Sequence, residues 1–265
     1  MDYKVLKKMN YLDKFRLLYC VNILSIPIGI VVAIYTSLWW LVLGIVWYRI
    51  VGILFVSIGL HRYFTHRSFE TGYKRHILFA IGSIISGNGS PIAFASQHIH
   101  HHRHSDKELD LHSPKDGTLH SCFSWLLNSK KWFLEEKEMK IPMFILKDRV
   151  VNFVHKYYFT CWTTISFILF LIDWKLFLFI MPFAGGLSIL TSNIVVGYLA
   201  HTKLPGSYKN FDTKDDSFNN EWIQIIETAE GYHNNHHADP SNYNFAKNKD
   251  EFDLCAVLIK KFFKV

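Results

Sequence analysis

Four apolar stretches, at about 17–37, 38–60, 153–172 and 176–200, constrain this chain more than anything else in its sequence. Each is close to the roughly 20 residues that an α-helix needs to cross a bilayer. Backbone polar groups find no water in hydrocarbon and must bond within their own segment. The expected fold is therefore an all-α membrane protein with four transmembrane helices. The third stretch is the least uniform, because His155 and Lys156 stand near its start. Composition agrees, with 50% of residues hydrophobic, 16% aromatic and 19% charged. A fifth stretch, 76–96, is long enough to span by hydropathy alone, but it contains Gly87-Asn-Gly-Ser-Pro91. A lipid-exposed helix tolerates such a cluster of breakers poorly.

Against this apolar background stand three histidine clusters: His61-Arg-Tyr-Phe-Thr-His66, His98-Ile-His-His101-His102 and His233-Asn-Asn-His236-His237. A lone histidine is usually structural, and a histidine run is often a weak surface chelator. Three short boxes of fixed spacing point instead to a built metal site. Imidazole suits iron, zinc, copper and nickel. Eight ligands are too many for one ion and suit two, with positions left open for oxygen. On a helix, His98 points beside either His101 or His102. Those two neighbours diverge by roughly a quarter turn, enough to reach different metals. The five-residue spacing of His61 and His66 rotates them further apart, which predicts one ligand for each ion.

Boxes that share metals must lie on one side of the membrane. The segment 76–96 then cannot cross once, and it reads as a buried or interfacial helix pair. The stretches 153–172 and 176–200 cross and return, bringing 233–237 to the same face. The turns Thr36–Leu38 and Asp173–Lys175 are too short to hold domains. Of 29 Lys and Arg, five precede the first span, 14 lie between 62 and 156, and eight follow residue 201. The positive-inside rule puts both termini and every histidine on the cytoplasmic side. The net charge of +7 is thus mostly topology, with some attraction to anionic lipid. No nucleic-acid recognition motif accompanies it. Cys20, Cys122, Cys161 and Cys255 have no close spacing and suit a reducing compartment. The first apolar stretch is long, carries Pro27 and leads straight into a second span, unlike a cleavable signal peptide. We expect one domain over 1–265, with a cytosolic helical cap built from 62–152 and 201–265.

The segments HRYFTHRSF, GSPI, HHRHSDKELDLHSPKDG, NFDTKDDSFNN, EGYHNNHHADP and EFD occur in that order from residue 61. Together they resemble the membrane fatty acyl desaturases, most closely the Δ9 acyl-CoA type and its bacterial relatives, from about residue 59 to the end. The resemblance implies a di-iron site (Fe2+/Fe3+) held by His61, His66, His98, His101, His102, His233, His236 and His237, with His201 as ninth ligand. Family members often carry an Asn four residues before that histidine, holding a metal-bound water. Here that position is Gly197, and Asn193, a turn further up, is the expected substitute. The implied reaction is O2-dependent desaturation, introducing a cis double bond, Δ9 by analogy, into a saturated acyl chain. Removing hydrogen from an unactivated methylene needs an oxidant stronger than any side chain, which such a cofactor supplies while the protein orients the substrate. The sequence shows no haem- or flavin-binding segment and no cysteine set for an iron–sulfur cluster. Electrons are expected from a separate ferredoxin or cytochrome b5, and the acyl carrier is left open.

Metal-bound histidines donate their second ring N–H to a carboxylate or carbonyl. Asp106, Asp110, Asp216, Glu230 and Asp239 are the candidates, with His112 as a further neighbour of the site. His100 and His104 are expected to face outward, and His76, His120 and His155 to be ordinary interfacial histidines. Trp39, Trp40, Trp47 and Tyr48 read as an interface belt and packing. Counting helical turns back from His61 places Ser57, Leu54, Ile53 and Ile50 on one face, the expected acyl channel. Arg49, inside the second span, closes the channel, pairs with a backbone carbonyl or snorkels. Two other functions fit the boxes. One is a fatty acid or lipid hydroxylase on the same scaffold. The other, non-enzymatic, is a membrane metal carrier, although carriers place ligands at mid-membrane in broken helices.

Overall fold

A computed structural model describes residues 10–127, 141–227 and 230–265. The part of the expected cap over 128–140 lies outside the described residues. Among those described there are helices and three isolated bridge pairs, but no strand. Helix α1 runs Asn10–Tyr35, α2 Trp39–Thr65, α3 Tyr73–Ser86 and α4 Pro91–His104. Helix α5 runs Arg149–Ile172, α6 Trp174–His201, α7 Glu221–Glu227 and α8 His233–Ala238.

Three helices, α1, α2 and α6, are long and apolar enough to cross a membrane. Helix α5 has the length, with 24 residues, but His155, Lys156 and two tyrosines dilute its first half. Its second half is apolar and outward, with Phe167, Ile168, Phe170, Leu171 and Ile172 all exposed. Helix α1 shows a matching stripe at Leu17, Val21, Leu24, Ile28 and Val31, spaced by three and four residues. An apolar surface of this extent marks contact with lipid.

Helices α3 and α4 bend by 81° at the breaker cluster, so the pair does not run straight across. Gly87 and Gly89 take φ of 75° and 88°, which a side chain at either place would strain. Pro91 opens α4, and the Ser90 side chain accepts from the Ala93 N–H. The break is largely buried, and its polar groups are answered inside the protein. Gly89 N–H donates to Tyr158 OH at 3.3 Å, and Asn88 Nδ2 donates to Ser188 Oγ at 2.8 Å.

The second half of α2, Gly52–Thr65, is wound as a π-helix. His66 N–H donates to His61 O at 3.1 Å, five residues back, and the Thr65 hydroxyl donates to Leu60 O at 2.7 Å. This wider turn governs which side chains share a face, as shown below.

Arg49 resolves one alternative left by the sequence. Its guanidinium donates to the carbonyls of Ile225 and Ile226 at the end of α7, the second at a short contact and the first at 3.0 Å. These are carbonyls that a helix end leaves without partners. The arginine therefore fastens α7 against α2.

Arg62 ties the end of α2 to the C-terminal segment. It is fully buried, 2.8 Å from Glu230 Oε1 and 3.1 Å from Asp253 Oδ2. It also donates to Tyr243 O at 3.1 Å and lies 3.8 Å over the Phe245 ring. Asp253 caps the following helix through Ala256 N–H and accepts from Phe245 N–H. Removing the cation from such a pair strands both carboxylates, at a cost of about 3–5 kcal/mol. Arg62→Met is expected to lower the melting temperature of the detergent-solubilised protein sharply. An unchanged thermal unfolding curve would show that the network contributes nothing to stability.

Candidate metal centre

All nine expected ligands fall into two groups. His61, His66, His98, His102 and His236 form one, and His101, His201, His233 and His237 the other, with ligand atoms in each within 4.8 Å of one another. Three elements supply the first group: the end of α2, the last turns of α4, and α8. The second draws on α4, α8 and the end of α6. As expected, His101 and His102 diverge to separate groups, and His98 joins His102. The spacing in α8 sorts His236 from His233 and His237 in the same way.

His61 and His66 were expected to serve different ions, but the structure brings them into one group. A standard helix rotates them far apart over five residues, whereas a π turn completes a lap in about that span. The hydrogen bond between His66 N and His61 O closes that lap.

The ring nitrogens have the separations of ligands on one ion. His61 Nε2 and His236 Nε2 are 3.0 Å apart, while His236–His102, His102–His98 and His201–His233 are each 2.9 Å apart through Nε2. Nitrogens about 2.1 Å from one metal and at right angles stand roughly 3.0 Å from each other. Neutral imidazole carries a single N–H, so these contacts cannot all be hydrogen bonds. His66 Nε2 and His237 Nε2 are sealed from solvent with no hydrogen-bond partner among the described residues. Burial first, then the neighbouring imidazoles, hold His66, His98, His102, His233, His236 and His237 well below the usual histidine range. These rings are neutral, as metal ligands must be. The residues fit two cations.

Carboxylates hold the opposite ring nitrogens. Glu230 Oε2 lies 3.0 Å from His61 Nδ1, and Asp110 Oδ1 lies 3.1 Å from His101 Nδ1. Asp106 Oδ2 lies 2.9 Å from His201 Nδ1, and Asp215 Oδ2 lies 2.8 Å from His237 Nδ1. Each contact fixes the tautomer that turns Nε2 toward the metal. Burial works to raise Asp106, Asp110 and Glu230, but the facing histidines, and Arg62 for Glu230, hold all three below the usual carboxylate range. Asp106 keeps a left-handed φ of 59°, and its Oδ2 also accepts from Asp216 N–H at 2.8 Å.

Asp106, Asp110 and Glu230 thus sit where the sequence suggested, and two other candidates do not. The Asp216 carboxylate is half exposed and pairs with Lys115, and Asp239 pairs with Lys247. Asp215, the residue beside Asp216, is the one that reaches a histidine. Adjacent aspartates in a loop give no periodicity by which to choose between them. Asn234 and Asn235 were also missed. Asn234 Oδ1 accepts from the backbones of Asn210 and Phe211, and Asn235 Nδ2 donates to Phe245 O. They lock the NFDT segment and the C-terminal loop onto α8. Their place inside the third box was the available signal.

Among the other histidines, His100 departs from the outward position expected of it. His100 is buried at 1% exposure and lies 2.8 Å from Leu109 O, because the chain after α4 folds back beneath it. His104 packs against His100, with ring centroids 4.6 Å apart. His112 stacks on His101 at 4.5 Å, and its Nδ1 is sealed and without a partner. It occupies space beside Gly197, where an added Cβ would stand 3.4 Å from that nitrogen. Asn193 lines the same cavity as His61, His98, His101 and His233.

Both groups open onto one cavity, through His61, His98, His101 and His233. Helix α2 lines it with Tyr48, Gly52, Val56 and Ser57. Of the expected channel face only Ser57 is among these residues. Ile53 and Leu54 pack on the main core cluster, and Ile50 is exposed. The π winding is again the reason: from His61 the shared face recurs every four to five residues, through Ser57 and Val56 to Gly52 and Tyr48. Tyr48 is accordingly a cavity residue, while Trp39 is exposed at 78% as a belt residue would be.

A cavity walled by apolar helices and ending at two groups of buried histidines, each braced by carboxylates, defines a histidine-rich membrane protein able to hold metal. Comparison with known sequences narrows the class. The model of the fatty acid desaturase family matches residues 37–250, and the chain belongs to that family. It is 29% identical over 209 residues to a probable chloroplastic lipid desaturase of Arabidopsis thaliana, covering 72% of this chain and 52% of the relative. To an sn-1 stearoyl-lipid 9-desaturase of Anabaena variabilis it is 28% identical over 194 residues, 72% of this chain and 68% of the relative. To a hex-5-enoyl-(acyl-carrier protein) acetylenase of Moorena producens it is 24% identical over 259 residues, 89% of this chain and 73% of the relative. The chain spans about half the length of the first of these.

Metal analysis of purified variants tests the grouping. His236→Ala and His237→Ala strike different groups, and each is expected to lower a content of two metals per chain toward one. Asp215→Asn should weaken metal retention against a chelator about 10–100-fold, and Asp216→Asn should leave it near wild type. His100→Ala should keep both metals. Equal losses at Asp215 and Asp216 would contradict the assignment of Nδ1 partners.

Proposed function

We propose that this chain is an O2-dependent fatty acyl desaturase, with two irons in the histidine groups, forming a cis double bond at the Δ9 position of a saturated acyl chain. The observation that carries the proposal is a single cavity, walled by membrane helices, that opens onto both histidine groups. An acyl chain in that cavity leaves bulk water behind and presents methylenes to the imidazole-lined end. His61, His66, His98, His102 and His236 would hold one iron, and His101, His201, His233 and His237 the other. When bound, the metal pair supplies the oxidation of an unactivated methylene, which no side chain can perform.

The chain's own residues position that chemistry. Glu230, Asp110, Asp106 and Asp215 keep the imidazoles in register through Nδ1. Tyr48, Gly52, Val56 and Ser57 set the chain's path along α2, and Phe94, Trp125 and Leu126 close the cavity near the histidines. Hydrocarbon depth then selects the bond that reacts. The proposed arrangement is one domain with the histidines and termini on the cytoplasmic side, where a separate ferredoxin or cytochrome b5 docks to deliver electrons. The relatives named above act on lipid-linked and carrier-protein-linked chains, so either linkage agrees with the same cavity.

Expression in a host lacking unsaturated lipids, followed by mass spectrometry of total fatty acids, tests the reaction. New double bonds at a fixed carbon are expected. Hydroxylated chains in their place would make the protein a hydroxylase, and an unchanged profile would remove the enzymatic reading. The same assay tests the channel face. Gly52→Leu and Val56→Phe should favour acyl chains shorter by one or two carbons. Each methylene is worth only about 0.8 kcal/mol, so the shift is several-fold and not absolute. Ile53→Ala and Leu54→Ala should leave the profile unchanged, and a shift there would move the channel to the other face of α2.

A further inference from the structure

Away from the histidines, polar groups interrupt the apolar wall that Phe15, Val56, Ile189 and Val196 give the cavity. Tyr48, Asn88, Ser188, Ser192, Asn193 and Glu227 all line it. Tyr48 and Ser188 each lie thirteen residues along their helices from the nearest histidine ligands, His61 and His201. Part of this polar surface is satisfied internally. Tyr48 OH donates to Thr191 Oγ1 at 3.1 Å, and Asn88 Nδ2 donates to Ser188 Oγ.

Two atoms are not satisfied. Thr191 and Tyr48 hydrogen-bond to the Glu227 carboxyl, and Tyr19 to the Asn193 amide, yet Glu227 Oε2 and Asn193 Nδ2 are sealed from solvent and have no hydrogen-bond partner among the described residues. Glu227 is placed there by construction, since Arg49 grips the carbonyls of Ile225 and Ile226 just before it. Burial, and then the charge of Glu230, push the Glu227 carboxyl up to about 8. Near neutral pH it is mostly protonated, with an O–H to donate and a carbonyl oxygen to accept. The Asn193 amide offers a donor. A methyl-ended hydrocarbon satisfies neither group, and buried polar atoms without partners are strongly disfavoured.

We propose that Glu227 and Asn193 bind a hydrogen-bonding substituent, a hydroxyl or keto oxygen, carried on the acyl chain beyond the carbons that react. The preferred substrate is then an oxygenated acyl chain and not a plain saturated one. This deepens the desaturase reading and rests on it for the identity of the chain. The Asn193 amide donates to the substituent oxygen, and the Glu227 carboxyl accepts from a hydroxyl or donates to a keto group. No covalent step is involved.

Binding and turnover test the two readings apart. The full chain, purified without metal in nanodiscs, is loaded with a fluorescent polyene fatty acid. Octadecanoic acid then competes against hydroxyoctadecanoic acids bearing the hydroxyl at successive carbons of the methyl-terminal half. At least one isomer is expected to displace the probe at about tenfold lower concentration than the parent acid. Glu227→Leu and Asn193→Leu should bring that ratio toward one, and Glu227→Gln, which retains donor and acceptor, should keep most of it. If every isomer binds no better than the parent, the proposal is overturned without recourse to any variant. It is also overturned if both leucine variants fold and keep the wild-type ratio. In cells fed both acids, desaturation of the plain acid alone overturns the proposal and leaves the desaturase reading standing. Preferential binding of a hydroxy isomer, with neither acid desaturated, upholds the site and removes the desaturase reading.

Discussion

Imidazole nitrogens brought to 2.9–3.0 Å in a space closed to water are the arrangement on which the rest of this structure depends. Ring nitrogens at that distance repel unless a proton or a cation lies between them. The fold must therefore hold them together against a local repulsion. It does so with four carboxylates on the outer ring nitrogens and with short helices whose remaining side chains are anchored elsewhere. Arg62 belongs to the same device. By pairing with Glu230 it offsets the charge of a carboxylate that itself holds His61.

The carboxylates bring a second constraint. Four acidic groups around nine imidazoles leave the site negative before metal enters, and two divalent cations would balance that charge. This gives the depressed Asp106, Asp110 and Glu230 a purpose beyond orientation: they remain ionised despite burial, and a dry anionic lining raises affinity for a cation. His112 is the exception in this neighbourhood. Its stacked ring leaves Nδ1 without a partner, next to a glycine that makes room for it.

Much of this was legible in the sequence, for identifiable reasons. Apolar stretches of membrane length pointed to the helical fold, and the three spaced boxes, with His201 added by the resemblance, contain the histidines that the structure gathers into two groups. The divergence of His101 from His102 followed from ordinary helical rotation. The same rotation failed at α2, both for the His61 and His66 pair and for the cavity face. No residue between Gly52 and Thr65 announces a π-helix, since every type there is also found in an α-helix. Asp215 was missed for a different reason. It lies in a loop, where neighbouring side chains point in directions that only the folded path determines. His100 was misplaced because its burial depends on the chain after α4 folding back beneath it, a tertiary contact with no local signature.

Several polar residues within the apolar part of the chain answer backbone groups that lipid could not. Those at the breaker turn are satisfied by Tyr158 and Ser188, and Arg49 is satisfied by the end of α7, while the outward faces of α1 and α5 carry apolar stripes. These interior polar groups are thus spent on irregular backbone or on a helix end. That is the condition under which a membrane helix keeps such groups at all, since lipid offers them no partner. Glu227 Oε2 and Asn193 Nδ2 are among the cavity atoms left without a hydrogen-bond partner among the described residues. Lying away from the histidines, they are placed to read the chemistry of whatever enters.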